Sequence, residues 1–176
     1  MKEVSMKKCC IVMGVVLIFL FLFPVISRAQ NKYLVVSPGA MRPVDHYFAD
    51  LNWYAYSHEF YYDTGFPDSV YGSAAVYLPH GATVKRLYAV ITDNGSGVDE
   101  AVAVFLSRQD LSTGAENSLA YVSSDPLPSN PNRRLLQDNS INYTTIDFRY
   151  SYVLKVRFWA GTPNVKFHGA IIVYEE

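Results

Sequence analysis

Beyond its tenth residue this chain contains no cysteine, since both copies, Cys9 and Cys10, stand near the amino terminus. That absence excludes stapling by disulfides, thiolate zinc sites, cysteine nucleophiles and redox chemistry from the remaining sequence. Charge is also scarce, at 18% of residues, with no basic run; Lys85-Arg86 and Arg133-Arg134 are isolated pairs. Such a chain has no electrostatic reason to seek nucleic acid or anionic lipid. Helical periodicity is missing too, because no stretch after residue 29 keeps a 3.6-residue apolar repeat for three turns. The pattern G-x-S-x-G does not occur, and Gly95-Ser96-Gly97 has no helix to form a nucleophile elbow. No glycine-rich phosphate loop precedes a helix either.

What the chain does have begins with its first 29 residues. Lys2, Lys7 and Lys8 precede an uncharged run, Ile11 to Ile26, and Ser27-Arg28-Ala29 places small residues ahead of Gln30. This is the layout of a cleaved secretory signal. The competing reading is a membrane anchor, but the run is 16 residues long with Pro24 inside it. A spanning helix needs about 20. Cleavage leaves residues 30–176 as one expected domain, free of membrane, secreted, periplasmic or held at the cell surface. Four basic residues and Glu3 leave with the signal, so 11 Lys and Arg face 15 Asp and Glu, a net charge of −4.

All 14 tyrosines lie after the signal, and this aromatic and β-branched richness favours strands. Strands are expected at 33–37, 70–78, 83–93, 99–108, 118–123, 149–160 and 164–174, with aromatic extended structure over 40–69. The segment Asp93 to Gly97 reads as the turn of a hairpin joining 83–93 to 99–108. Asp125 to Asn132, with three prolines, reads as a loop. In 149–160, Tyr150, Tyr152, Leu154, Val156 and Phe158 share one face; Ser151, Lys155 and Arg157 share the other. In the last strand Val165, Phe167, Gly169, Ile171 and Val173 are expected to face the core. Ala170, Ile172 and Tyr174 would then form an apolar outer face, a candidate interface with another copy. The expected fold is an all-β antiparallel sandwich of jelly-roll type with about eight strands.

Candidate chemistry is thin. Asp45-His46 and His58-Glu59 offer metal ligands, so His46, His58 and Glu59 are weak metal candidates. They match no standard spacing, and neighbours on a strand point to opposite faces. Polar loop residues are the plainer reading, and no cofactor is expected. The rings of Trp53, Tyr54, Tyr56, Tyr61 and Tyr62 are the best binding candidates, since they would stack on sugar faces while nearby Asp and Asn bond the hydroxyls. The alternative is that these rings cap the core or an interface.

From Ala75 onward several segments together resemble a set of uncharacterised secreted bacterial proteins. They are Leu78-Pro79-His80-Gly81-Ala82-Thr83-Val84, Asp93-Asn94, Val102 to Arg108, Tyr150 to Val156 and Phe167-His168-Gly169-Ala170. That resemblance implies an exported β-sandwich and no established activity. Phe167-x-Gly169 followed by Ile171, Ile172 and Tyr174 is remotely similar to the last strand of trimeric jelly rolls of the tumour-necrosis-factor and complement type. It implies a homotrimer through an apolar sheet face. The leading expectation is a non-enzymatic exported sandwich acting by self-association or surface interaction, in a structural or adhesive role. The alternative is a carbohydrate-binding module using residues 47–66; a metal-dependent hydrolase is the third class.

Overall fold

A computed structural model of the chain describes residues 30–44, 52–55, 58–63, 69–95, 100–159 and 162–176, with side chains for these apart from 52–55 and 62–63. The expected signal at 1–29, His46 and Tyr56 lie outside the described residues. No helix among those described is long and apolar enough to cross a membrane.

Eleven strands are present among the described residues: β1 (Lys32–Val36), β2 (Arg42–Pro43), β3 (Asn52–Ala55), β4 (Phe60–Asp63), β5 (Val70–Val76), β6 (Thr83–Asp93), β7 (Val102–Asp110), β8 (Glu116–Ser123), β9 (Asn130–Asp138), β10 (Tyr150–Phe158) and β11 (Val165–Glu175). They form two antiparallel sheets. One follows the order β3-β4-β11-β6-β9, with β1 also paired to β11; the other follows β2-β5-β10-β7-β8. The expected all-β sandwich is therefore what forms, with more strands than the sequence pattern resolves.

Alternation drives the packing. On β10, Tyr152, Leu154, Val156 and Phe158 are buried, and the last three meet Leu106, Val104 and Val102 of β7 in register. Opposite them, Leu87, Ala89 and Ile91 of β6 pack with Val165, Phe167, Ala170 and Ile172 of β11 in one continuous core. Phe60 of β4 enters the same core and contacts the Phe158 ring at 5.7 Å between centroids.

Three expectations fail for identifiable reasons. The first is the hairpin between 83–93 and 99–108. β6 and β7 belong to different sheets and do not pair with each other. Turn-tolerant residues permit a sheet-crossing arch as readily as a hairpin. The hairpin partner of β7 is β8, through a turn in which Asp110 Oδ1 accepts hydrogen bonds from the backbone N–H of Ser112 at 2.8 Å and Thr113 at 3.0 Å. Those bonds, with the Ser112 hydroxyl foremost, hold the Asp110 carboxyl down at about 2.

The second is the loop expected over 125–132, where β9 already begins at Asn130 and pairs with β6. Proline is accepted there because β9 is an edge strand.

The third is the facing of β11. Its register with β6 shifts between Phe167 and Gly169, a bulge that reverses the alternation downstream. Ala170 and Ile172 are consequently core residues at 2% and 0% exposure, and Tyr174 packs against the core half-buried. The proposed interface set faces inward, and Ile171 takes the outward side. Gly169 adopts φ +135° at the bulge, a conformation that side chains disfavour.

Candidate functional site

The outer face of the five-stranded sheet gathers chemistry that no single segment contains. Register places Tyr71 of β5 beside Arg157 of β10, Ser73 beside Lys155, and Ala75 beside Val153. Across the other edge of β10, Lys155 lies beside Phe105 of β7 and Phe105 beside Tyr121 of β8. From Ser151 to Arg157 the face extends for about 20 Å along the strand, at ~3.4 Å per residue.

One end is an aromatic and cationic cluster. The Arg157 guanidinium carbon lies 4.4 Å from the Trp159 ring centroid and 5.6 Å from that of Tyr71. Its Nη2 donates to Ser69 Oγ at 2.8 Å. Trp159 is anchored by its backbone N–H, which donates to Ala101 O at 3.0 Å. Each cation–ring contact of this kind contributes about 0.5–2 kcal/mol and also fixes the rings' attitude.

In the middle, Lys155 reaches across β7 to form an ion pair with Glu116. Burial pushes the Glu116 carboxyl up, but hydrogen bonds from Lys155 and Ser107 outweigh it, so its pKa lies below the ordinary value. The Phe105 and Tyr121 rings stand 4.9 Å apart at 45°, with Tyr121 exposed.

The far end opens into a cleft of about 380 Å³ whose lining includes Tyr77, His80, Leu111, Phe148, Ser151 and Val153. Tyr77 is 86% exposed and Phe148 74%. The His80 and Phe148 rings meet at a tilt of 59° with centroids 5.2 Å apart. Asp147 fixes the neighbouring turn by accepting from Arg149 Nη2 at 2.7 Å and Nε at 2.9 Å. A row of rings interleaved with hydroxyls and ionic groups, running into an apolar cleft, can hold a flat amphipathic ligand across several strands.

The residues singled out by sequence fall elsewhere. Backbone pairing sets Trp53 opposite Tyr62 and Tyr54 opposite Tyr61 in the β3–β4 hairpin at the edge of the other sheet. Tyr61 is half-buried, with Lys166 Nζ 4.9 Å from its ring centroid. Of the weak metal candidates, Glu59 is held in an ion pair with Lys166 at 3.1 Å, and His58 is exposed with its carbonyl accepting from His168 Nδ1 at 3.0 Å. Because a carbonyl only accepts, Nδ1 carries the proton and Nε2 accepts from Thr92 Oγ1 at 2.8 Å. Among the described residues no three His, Cys, Asp or Glu groups gather to hold a metal ion.

Sequence reading did place Lys155 and Arg157 on one outward face. It missed Tyr71, Phe105, Tyr121 and Trp159 as their companions, because lateral register joins strands far apart in the chain.

No protein-family model matches this chain, and no curated protein matches it in sequence. Solved structures do share its fold. A xylan-binding module CBM15 is 10% identical with a TM-score of 0.51, over 82% of this chain and 97% of that one. The xylanase 10B of Clostridium thermocellum, comprising CBM22-1 and GH10 modules complexed with xylohexaose, is 15% identical with a TM-score of 0.52. That match covers 84% of this chain and 28% of the xylanase chain. At these identities the likeness establishes architecture: the chain is a β-sandwich of the kind found in carbohydrate-binding modules.

Proposed function

We propose that this chain is an exported glycan-binding protein that holds its ligand on the outer face of the five-stranded sheet. The observation that carries this reading is the row Trp159, Tyr71, Phe105 and Tyr121, interleaved with Arg157, Lys155 and Glu116 and opening into the cleft beside Tyr77 and Phe148. Rings of this kind stack on the C–H faces of sugars, while the charged and hydroxyl groups bond their oxygens. The function is capture rather than catalysis. Two structures of the same fold bear names that speak of xylan and xylohexaose, which supports a polysaccharide as the ligand class.

A glycan array and affinity electrophoresis on the exported protein test the reading. Binding is expected to weaken at least tenfold in Trp159→Ala and in Tyr121→Ala, with thermal midpoints near wild type. Loss in Trp53→Ala alone would move the site to the β3–β4 hairpin. Absence of binding to every glycan would remove the function.

Self-association remains the second reading, and a different surface favours it. On the six-stranded sheet Tyr33 and Val35 of β1 and Leu135 of β9 are 66%, 67% and 61% exposed. Val35 lies beside the outward Ile171, which lies beside Tyr88. Light scattering that finds a strict monomer at high concentration would dismiss it.

A further inference from the structure

On the proposed binding face the charges do not balance. Lys155 is compensated by Glu116, but no carboxylate among the described residues lies within ion-pair distance of Arg157. Arg157 is half-buried, and it sits on β10, the central strand of its sheet, rather than on the rim. Arg42 of β2 shares this face by its register with Ser73; its guanidinium donates to Gly39 O and Met41 O, and no carboxylate among the described residues pairs with it. A chain with a net negative charge thus places on one surface two arginines that have no carboxylate partner among the described residues.

The geometry around Arg157 is that of a prepared anion receptor. The rings of Trp159 and Tyr71 both stand within cation–ring distance of its guanidinium, at 4.4 and 5.6 Å to their centroids. Ser69 holds Nη2 from one side. The Nε–H is shielded from water without a partner, and Nη1 makes no hydrogen bond to a described residue. A guanidinium that is oriented, partly desolvated and short of acceptors gains most from a planar anion, because its fork matches the two oxygens of a carboxylate. A neutral sugar hydroxyl would supply a weaker, single acceptor.

We infer that the glycan is acidic, with a uronate carboxylate seated on Arg157 between Trp159 and Tyr71. This inference rests on the glycan-binding reading of the same face and deepens it to a ligand class. The remaining sugar rings would then run along β10 toward the cleft at Tyr77 and Phe148.

Affinity electrophoresis of the exported protein in gels of polygalacturonate, fully methyl-esterified polygalacturonate, a sulfated galactan and neutral xylan tests it. Polygalacturonate is expected to bind at least tenfold more tightly than its ester or xylan, and the advantage should shrink as salt rises. Arg157→Gln should abolish the advantage, and Arg157→Lys should recover it only in part, since lysine keeps charge without the fork. Equal affinity for acid and ester in the wild type would overturn the inference while leaving glycan binding intact. Preference for the sulfated galactan would overturn the carboxylate assignment. Binding to xylan alone would likewise reject acidity, and no binding to any polymer would reject the glycan reading with it. The wild-type comparison of acid with ester stands even if a variant fails to fold.

Discussion

The ring of Phe60 lies directly over the backbone of Gly72, so close that a Cβ at residue 72 would collide with its Cε1 and Cζ atoms. The two residues belong to opposite sheets, β4 and β5, and their contact seats the aromatic hairpin against the core. Gly72→Ala is expected to cost about 1–3 kcal/mol by overpacking. Phe60→Ala should cost about 3–5 kcal/mol by leaving a cavity. Because the residues touch, Gly72→Ala combined with Phe60→Leu should cost clearly less than the sum of the single changes. Urea denaturation of the wild type, Gly72→Ala, Phe60→Leu and the double variant measures this, and strict additivity would refute the contact.

The β11 bulge makes a second prediction. At Gly169 a Cβ would stand 3.3 Å from the carbonyl oxygen of Val36, in a backbone conformation already unfavourable to side chains. Gly169→Ala should destabilise by about 1–3 kcal/mol. The measurable signature is a lowered thermal midpoint together with faster amide exchange at β1, which pairs with Ala170–Tyr174. An unchanged midpoint would mean that the strand slips past the bulge without penalty.

Arg108 is bracketed by Tyr143 at 3.8 Å and Tyr150 at 4.2 Å, measured to the ring centroids. Tyr143 adopts a positive φ of 49°. A double-mutant cycle of Arg108→Met and Tyr143→Leu should return a coupling of about 0.5–2 kcal/mol. Coupling indistinguishable from zero would show that the bracket contributes packing alone.

Acid should weaken the protein in two stages. Burial pushes the His168 imidazole below its ordinary 6.5, opposed by the His58 carbonyl and aided by the charge of Arg133. Between 6.5 and that lower native value the unfolded chain binds more protons than the folded one. Stability is therefore highest above 6.5 and falls as pH drops through this window. The second stage lies lower. The Asp110 carboxyl is held at about 2, and Asp147 is depressed first by its hydrogen bond from Arg149. Their contribution is present above 3.8 and is lost as pH falls toward 2. His168→Gln should flatten the fall in thermal midpoint as pH drops below 6.5 while leaving the lower stage intact. An unchanged slope in the variant would assign the first stage to another group.

The sequence by itself settled the fold class, because side-chain alternation is a local property. The run Tyr150 to Phe158 declares a half-buried strand without help from any neighbour, and its outward Lys155 and Arg157 were visible at once. Absence of cysteine after residue 10 was equally plain. What only the tertiary structure decided was lateral. Whether β6 turns back on β7 or crosses to the other sheet depends on which pairing buries more apolar surface. The turn residues do not encode that choice. The bulge before Gly169 shifts alternation by one residue, so a single backbone irregularity converted an expected outer face into core. The candidate site was hidden for the same reason: Tyr71, Tyr121 and Arg157 lie on three strands, and sheet register alone brings them to one surface.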